Sequence, residues 1–445
     1  MATVIPPVKL VYYTSCSSLQ LKRPFDKDTD KDIGRDCPIP DGYVFNLTGQ
    51  TTWCTLTSST DHWQKASGLI FHAADIHYDA FPPRIDNQPR ILETLESPIT
   101  APFRTNPEQM KNYDYLATYN FKSTFFFTYF SPSIMDVVNR PLPHDFMETK
   151  TKKAPILWIA RNCRATSGRE YYISELMKHI QVDSYGECLN NQEFPEDKSR
   201  EELMAEYKFY LAIENANCED YVTEKLYDTF MMSAVPIVDG PSSYEGYLPT
   251  NRSVIYMDAY PDPKDLADYI NYLDKNDTAY LEYLSFRRDA LKIAANDRLE
   301  PAFISNWSDT IAHKKRSDYC SICRGVLPWW KNRHTAGSDV YKDESERFLV
   351  DDSCQPGGKW NYISLGRPYK PHWKPRPLDE FTRPRAMLDE PAQDDEKMIE
   401  LIGNDTHAMA ITANIVFICI LLSFIIVLSR VSRTTNKQSS TSVHV

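Results

Sequence analysis

Apolar and polar positions alternate along this chain in two regimes. From Ile156 the pattern is regular: Ile156–Ala160 reads as a buried strand, Ile173, Leu176, Met177 and Ile180 share one helical face, and Val182–Tyr185 returns as a strand. Together these predict a parallel strand, helix, strand unit. Phe209–Ile213 extends that sheet. After a polar loop, Val222, Leu226, Phe230 and Met231 recur at the spacing of a helix packed on the sheet, and Val235–Val238 follows as the next strand. Earlier in the chain the pattern is looser, with strand-like Val8–Tyr13, Gly68–His72 and Tyr115–Phe121 set between Pro-rich and Asp-rich loops, and Lys22–Asp36 expected as an exposed loop. From Pro328 to Pro391 prolines are frequent and apolar runs scarce, which predicts a stalk or extended appendage rather than a third core.

The helix expected after Phe209–Ile213 carries the first chemical hint. Thr223 is a natural N-cap, which puts Glu224 and Lys225 in the first turn beside free backbone N–H groups. A helix start of this kind favours anions, phosphate above all. The whole chain is acidic, with 61 Asp and Glu against 50 Lys and Arg and a net charge of −11, which argues against nucleic acid as a partner. An anionic ligand must therefore be held by particular cations.

Ala408–Ser429 is 22 residues without a charge, enough to cross a hydrocarbon core that takes about 20 helical residues. Arg430, Arg433 and Lys437 follow it, while Asp394, Asp395, Glu396, Glu400 and Asp405 precede it, so the positive-inside rule puts the C-terminus in the cytoplasm and the bulk in the lumen. A glycosylphosphatidylinositol signal fits less well, because 16 mostly polar residues follow the apolar stretch. Glycosylation sequons begin at Asn46, Asn251, Asn276, Asn306 and Asn404, all on the expected luminal side. A single-pass protein of the Golgi or endoplasmic reticulum membrane is the expected address. Met1–Leu10 holds neither an apolar signal region nor a span, so a segment upstream of this start is expected. Nine of the ten cysteines precede the span, where an oxidising lumen favours pairing. Cys320-x-x-Cys323 has no second CxxC to complete a zinc site and is expected to be a structural disulfide.

Lys208–Gly240 closely resembles the donor-binding motif of the α-1,3-fucosyltransferases. Phe209–Ala216 stands for F-x-L-A-F-E-N-S, Asp220–Leu226 for D-Y-[VI]-T-E-K-[LI], and Val235–Gly240 for V-P-[VI]-V-x-G, and the likeness continues at Pro241, Tyr244, Glu245 and Pro263–Ala267. The resemblance implies an inverting, hexosyl-type glycosyltransferase that uses GDP-fucose. It also implies an α/β fold of the GT-B kind, two Rossmann-like domains facing a cleft, to which this chain adds the C-terminal stalk and one transmembrane helix. On that reading residues 1–145 form the acceptor-side domain, 146–325 the GDP-fucose-binding domain, 326–407 the luminal stalk or appendage, 408–429 the span and 430–445 the cytoplasmic tail.

Inverting displacement needs a base on the acceptor side and cations at the departing diphosphate. Leu95-Glu96-Ser97-Pro98 resembles the family's M-E-S-P segment, which implies Glu96 as the general base; Glu93 is the nearest decoy. Ile156–Tyr172 resembles the family segment that carries a phosphate-contacting arginine, aligned here with Arg169, and the asparagine of S-N-C, aligned with Asn162. Arg161, which stands for the usual serine, and Arg164 are rival cations. Lys225 is a point charge at the helix start, Glu224 suits the ribose hydroxyls, and Asn215 and Tyr221 match positions that contact nucleotide or fucose.

One segment departs from the family. Where many members have F-N-W-T-x-S-Y-R-x-D-S-D, this chain has Tyr119–Phe130, which keeps Asn120 but loses the arginine and the acids. The aromatic run reads either as core or as an altered acceptor floor. Asp26-Lys27-Asp28, Asp351-Asp352 and Asp394-Asp395 lie in charged or tail segments, so no essential metal or cofactor is expected, and a divalent cation would at most stimulate. The leading expectation is fucosyl transfer, α-1,3 to N-acetylglucosamine of a glycan or glycoprotein acceptor. The alternatives are a protein O-fucosyltransferase of the same superfamily and an inactive membrane-anchored sugar-binding protein.

Overall fold

The computed structural model describes residues 4–13, 31–32, 37, 43–45, 52–57, 59–73, 81–86, 88–308, 318–335 and 348–378. Two sheets, mostly parallel, are built in succession. The first takes β1 (Val8–Tyr12), β2 (Lys31–Asp32), β3 (Cys54–Thr57), β4 (Gly68–His72), β5 (Arg90–Thr94), β6 (Tyr115–Thr118) and β7 (Phe125–Phe126), in the order β2-β3-β1-β4-β5-β6-β7. Every neighbouring pair is parallel except β2 with β3. A parallel sheet is covered on both faces, and β4 and β5 are accordingly buried at every residue. Their side chains divide by the strand period of two: Ile70 and Ile91 face one core with Val8 and Leu10, while Leu69, Phe71 and Leu92 face another with Val11.

The second sheet takes β8 (Ile156–Ala160), β9 (Val182–Gly186), β10 (Phe209–Ile213), β11 (Val235–Asp239) and β12 (Ile255–Tyr256), all parallel, in the order β12-β11-β10-β8-β9. From β8 the chain moves outward to β9, then returns to lay β10 on the other side. That reversal opens a crevice between the carboxyl ends of β8 and β10, the place where such sheets bind ligands. Helix α1 (Arg169–Leu176) follows β8, α2 (Glu224–Met231) follows β10, and α3 (Pro263–Lys275) follows β12. Thr223 caps α2 as its sequence position predicts, and Leu226 and Phe230 are buried against the sheet.

Two expectations need correction. Cys320 and Cys323 do not pair with each other. They lie on helix α4 (Asp318–Thr335), which packs back on the first sheet, and Cys320 bonds Cys37 while Cys323 bonds Cys54, with Cα separations of 5.6 and 6.3 Å. A spacing of three puts both sulfurs on the helix face that meets the sheet, so each finds a partner across the interface. Cys163–Cys188 and Cys218–Cys354 complete the disulfides among the described residues.

Residues 326–335 and 348–378 are not a stalk. Val326, Leu327, Trp329 and Trp330 of α4 are buried in the first sheet's core, and a Cβ on Gly325 would collide with the Phe125 ring, so helix and strand are in direct contact. Residues 348–378 then form a strap across both sheets. Phe348, Leu349 and Val350 pack on the first sheet, Cys354 bonds Cys218, and Trp360 is fully buried against Tyr172 of α1, with ring centroids 4.5 Å apart. The strap therefore belongs with both halves, in place of an appendage beginning at 326.

Both sheets and the strap lie in one compact unit that ends at Arg383. The span expected at 408–429, the tail after it, and the sequons at Asn46 and Asn404 lie outside the described residues. Among the described residues no helix is long and apolar enough to cross a membrane.

Candidate active site

The carboxyl ends of β5 and β10 bring the two halves together. Glu96 lies two residues past β5, in a turn fixed by its own N–H donating to Thr94 Oγ1 at 3.0 Å and by Arg104 Nη1 donating to its carbonyl at 2.8 Å. Its half-buried carboxylate accepts a hydrogen bond from the Tyr221 hydroxyl, in the loop between β10 and α2, at 3.2 Å. Tyr221 is buried, with its ring against Tyr119 at 4.9 Å. Burial, followed by Tyr129 and Glu96, holds its hydroxyl well above the ordinary tyrosine range. It stays protonated and donates.

Tyr129 enters the same place from the aromatic run and donates to the Leu95 carbonyl at 3.3 Å. Burial, then Glu96, Glu224 and Glu214, push its hydroxyl well above the usual range. A tyrosine whose charge would be felt by carboxylates of both halves sits where they converge. Its one signal in the sequence is a polar tip among Phe125, Phe126, Phe127 and Phe130. The rest of the run is mainly core: Phe121, Phe126 and Phe130 pack with Tyr247 and Trp307.

At the start of α2 three ionisable groups meet. Glu214, next after β10 and fully buried, accepts from Thr223 N at 2.9 Å, from Thr223 Oγ1 at 2.9 and 3.0 Å, and from Lys225 Nζ at 3.1 Å. Lys225 Nζ also reaches Thr223 Oγ1 at 2.7 Å and Glu224 Oε1 at 3.1 Å. Burial raises the Glu214 carboxyl despite the nearby ammonium. For Lys225, burial works against the charge, but Glu214 and Glu224 outweigh it and the ammonium is held above its ordinary value. Glu224 also feels burial, outweighed by Lys225, and falls below the usual carboxylate range. Lys225 is thus a fixed cation at a helix N-terminus, with the partly exposed Glu224 as its outer partner.

Arg169 takes a different position. Its side chain is 3% exposed. The guanidinium donates to the Ile213 carbonyl at the end of β10 and to the Asn162 carbonyl just beyond β8, at 3.2 Å for the latter, so it bridges the two strands that flank the crevice. Asn162 is exposed, its Oδ1 accepting from Arg164 N at 3.0 Å. Asn215 is half-buried, and its carbonyl accepts from Thr166 Oγ1 at 3.1 Å. Arg161 is exposed, paired with Glu187 at 3.6 Å, and Arg164 is exposed as well. The strap closes one side of this crevice through Gly358 N to Thr166 O at 2.7 Å, Trp360 N to Ser167 O at 3.0 Å and Gln355 N to Asn217 O at 2.7 Å. The structure therefore gathers Asn162, Arg169 and Asn215 at the crevice, and Glu96, Tyr221, Glu224 and Lys225 around the loop before α2.

Among the described residues no group of three His, Cys, Asp or Glu is placed to hold a metal ion. Asp351, one of the acidic pairs in the sequence, is buried in an ion pair with Arg104 at 2.6 Å. Of the sequon asparagines, Asn251 is exposed, Asn276 caps a helix by accepting from Ala279 N at 3.0 Å, and Asn306 is half-buried.

Residues 148–340 match the model of glycosyltransferase family 10 (fucosyltransferase) C-term. Over this segment the chain is similar to the family 10 fucosyltransferases. The match covers the second sheet and α4, while Glu96 and the strap lie outside it. Among similar proteins, a GDP-fucose protein O-fucosyltransferase 3 of Gallus gallus is 34% identical over 301 residues, 62% of this chain and 61% of its own length. Alpha-(1,3)-fucosyltransferase B of Drosophila melanogaster is 29% identical over 66% of this chain and 65% of its own length. The chain thus spans about three fifths to two thirds of the length of these two relatives. Among solved structures, an α1,3-fucosyltransferase crystallised with GDP-fucose is 17% identical, with a TM-score of 0.47, over 77% of this chain and 94% of its own.

Proposed function

We propose that this protein transfers L-fucose from GDP-fucose to a hydroxyl acceptor with inversion at the anomeric carbon. Glu96 takes the proton of the acceptor hydroxyl, whose oxygen bonds to the fucose anomeric carbon from the face opposite the diphosphate. The bond from that carbon to the phosphate oxygen breaks, and GDP leaves with the electron pair. Lys225 and the first N–H groups of α2 meet the charge that grows on the diphosphate. Glu224, the outer partner of Lys225, is the carboxylate that phosphate displaces and that is then available to ribose hydroxyls. Asn162 and Asn215 line the donor crevice, with Arg169 beneath them. One observation carries this reading: the Glu96 carboxylate of the first half meets Tyr221 of the donor loop at 3.2 Å.

Two acceptor classes follow from two observations. The donor motif's resemblance to the α-1,3-fucosyltransferases favours a glycan N-acetylglucosamine and an α-1,3 linkage. Relatives named GDP-fucose protein O-fucosyltransferase 3 in Gallus gallus and Xenopus laevis favour a protein hydroxyl. The Tyr119–Phe130 run, which lacks the polar segment of the α-1,3-fucosyltransferases, also favours the second class. The four disulfides among the described residues support the oxidising lumen of the secretory pathway as the compartment, with 408–429 as the anchor.

The test is transfer from radiolabelled GDP-fucose by the full chain to a panel of lactosamine glycans, N-glycan cores and folded protein domains, with wild type and Glu96→Gln side by side. Wild type is expected to label one class. Glu96→Gln is expected to bind GDP as wild type does and to lose transfer by at least a hundredfold, the scale of a removed general base. Full turnover in Glu96→Gln would remove that residue from the mechanism, and GDP binding without transfer to any acceptor would favour a sugar-binding role.

A further inference from the structure

Behind Glu96 stands an ion pair that catalysis does not use directly. Arg104 and Asp351 side chains are both 0% exposed and lie 2.6 Å apart, although 247 positions separate them. Arg104 comes from the short 3-10 turn Pro102–Thr105, and Asp351 from the strap. The other arm of the Arg104 fork donates to the carbonyl of Glu96 at 2.8 Å, and Asp351 N donates to the Arg104 carbonyl at 3.1 Å. Asp351 is itself held by Ser353, whose Oγ and N donate to Oδ1 at 2.6 and 3.2 Å. The next residue, Cys354, bonds Cys218, three positions before Tyr221. Tyr221 returns to Glu96 through its hydroxyl. These contacts form a closed circuit from base to arginine, to strap, to donor loop and back to the base.

We propose that Arg104 and Asp351 are positioning residues for Glu96, and that the strap, which lies beyond the family-matched segment, aligns the base of one half with the donor loop of the other. Two fully buried charges add little stability compared with apolar side chains of similar size, because desolvation offsets their attraction. What the pair does supply is direction. Arg104 fastens the Glu96 carbonyl, which fixes the backbone at that residue while its carboxylate meets Tyr221. The guanidinium also lies 6.0 Å over the Tyr119 ring, and Tyr119 packs on Tyr221, so the same arginine bears on both sides of the contact. This inference rests on Glu96 being the base, but the holding of its turn can be measured without turnover.

The test compares the full chain with the double variant Arg104→Met, Asp351→Leu, which removes both charges and preserves apolar volume, and with the milder Ser353→Ala. Melting temperature, GDP affinity, kcat and KM are measured, together with hydrogen–deuterium exchange of the turn at residues 95–101. The double variant is expected to bind GDP within about twofold of wild type, and its turn is expected to exchange faster. Its kcat is expected to fall about tenfold or more, as misplacement of a reacting group does, with KM little changed. Ser353→Ala is expected to move kcat and exchange in the same direction by less, and it stands in if the double variant does not fold. Unchanged exchange at 95–101, or unchanged kcat, overturns the proposal, as does a loss of kcat matched by an equal loss of GDP affinity. If wild type transfers to nothing, the functional reading fails, and the exchange data alone decide whether the pair holds the Glu96 turn.

Discussion

Arg169→Lys separates a structural arginine from a phosphate ligand. The substitution keeps a cation but replaces a planar fork by a point charge, which cannot bond Ile213 and Asn162 carbonyls together. Hydrogen bonds from a charged donor are worth about 1.5–3 kcal/mol each. A buried lysine that keeps one of the two therefore loses about 2 kcal/mol, and Arg169→Ala, which loses both and leaves two carbonyls unpaired, loses about 3–5 kcal/mol. At about 2 °C per kcal/mol for a large domain, melting should fall by roughly 4 °C for Lys and 6–10 °C for Ala. GDP affinity should fall in step, because the ends of β8 and β10 separate. The assay is differential scanning fluorimetry beside isothermal titration with GDP. If Arg169→Lys melts like wild type yet loses GDP binding more than tenfold, the arginine faces the phosphate and the bridging account is wrong.

Further expected outcomes concern the disulfides and a buried amine. Non-reducing peptide mapping is expected to recover Cys37 with Cys320 and Cys54 with Cys323; a peptide in which Cys320 and Cys323 are joined to each other would contradict the helix packing. Loss of the Cys54–Cys323 bond alone, in Cys54→Ser, should destabilise by about 3 kcal/mol in the chain-entropy account, because Cys37–Cys320 still ties the chain and leaves a loop of only about 20 residues to close, read as a denaturation midpoint shift. Lys150 donates to the Ala205 and Ser233 carbonyls at 2.9 and 3.1 Å, and burial, then Arg287, lower its amine to about 7. The folded state then holds fewer protons than the unfolded state above that pH, so stability should rise from pH 7 toward 8.5 by up to about 2 kcal/mol. Lys150→Met should lack this rise in urea denaturation at the two pH values, and an equal slope in both proteins would refute it.

The features that could be read from sequence were those with local causes. The α2 stripe of Leu226 and Phe230, its Thr223 cap and the strand on either side depend on neighbours a few residues away, and they appear as expected. The contact of Glu96 with Tyr221 spans 125 positions, and no period or spacing encodes it. Arg169 looks like solvated helix surface in sequence; its burial follows from Trp158 below, with its ring 5.9 Å away, and from the two strand ends it joins. The strap escaped for a related reason. Phe348, Cys354, Trp360 and Arg376 each dock at a different place, on the first sheet, the donor loop, α1 and Asp258 in turn, so no repeating pattern links them. The cysteine pair misled because three-residue spacing in a helix describes a shared face, and a shared face says nothing of the partner opposite.

The cystines of α4 also set an order of assembly during synthesis. Cys37 waits for a partner 283 positions later, which at ribosomal rates of about 5–20 residues per second is on the order of half a minute. Throughout that interval the first sheet lacks the helix that covers Val8, Leu10 and Phe125. The second sheet, whose strands run from Ile156 to Tyr256, emerges whole before α4 does and can close first. The half made first is thus completed last, and its early thiols are open to mispairing, with Cys163 and Cys188 the next to emerge. In an oxidising compartment, disulfide-forming enzymes would act on this chain chiefly by keeping Cys37 and Cys54 available until α4 arrives.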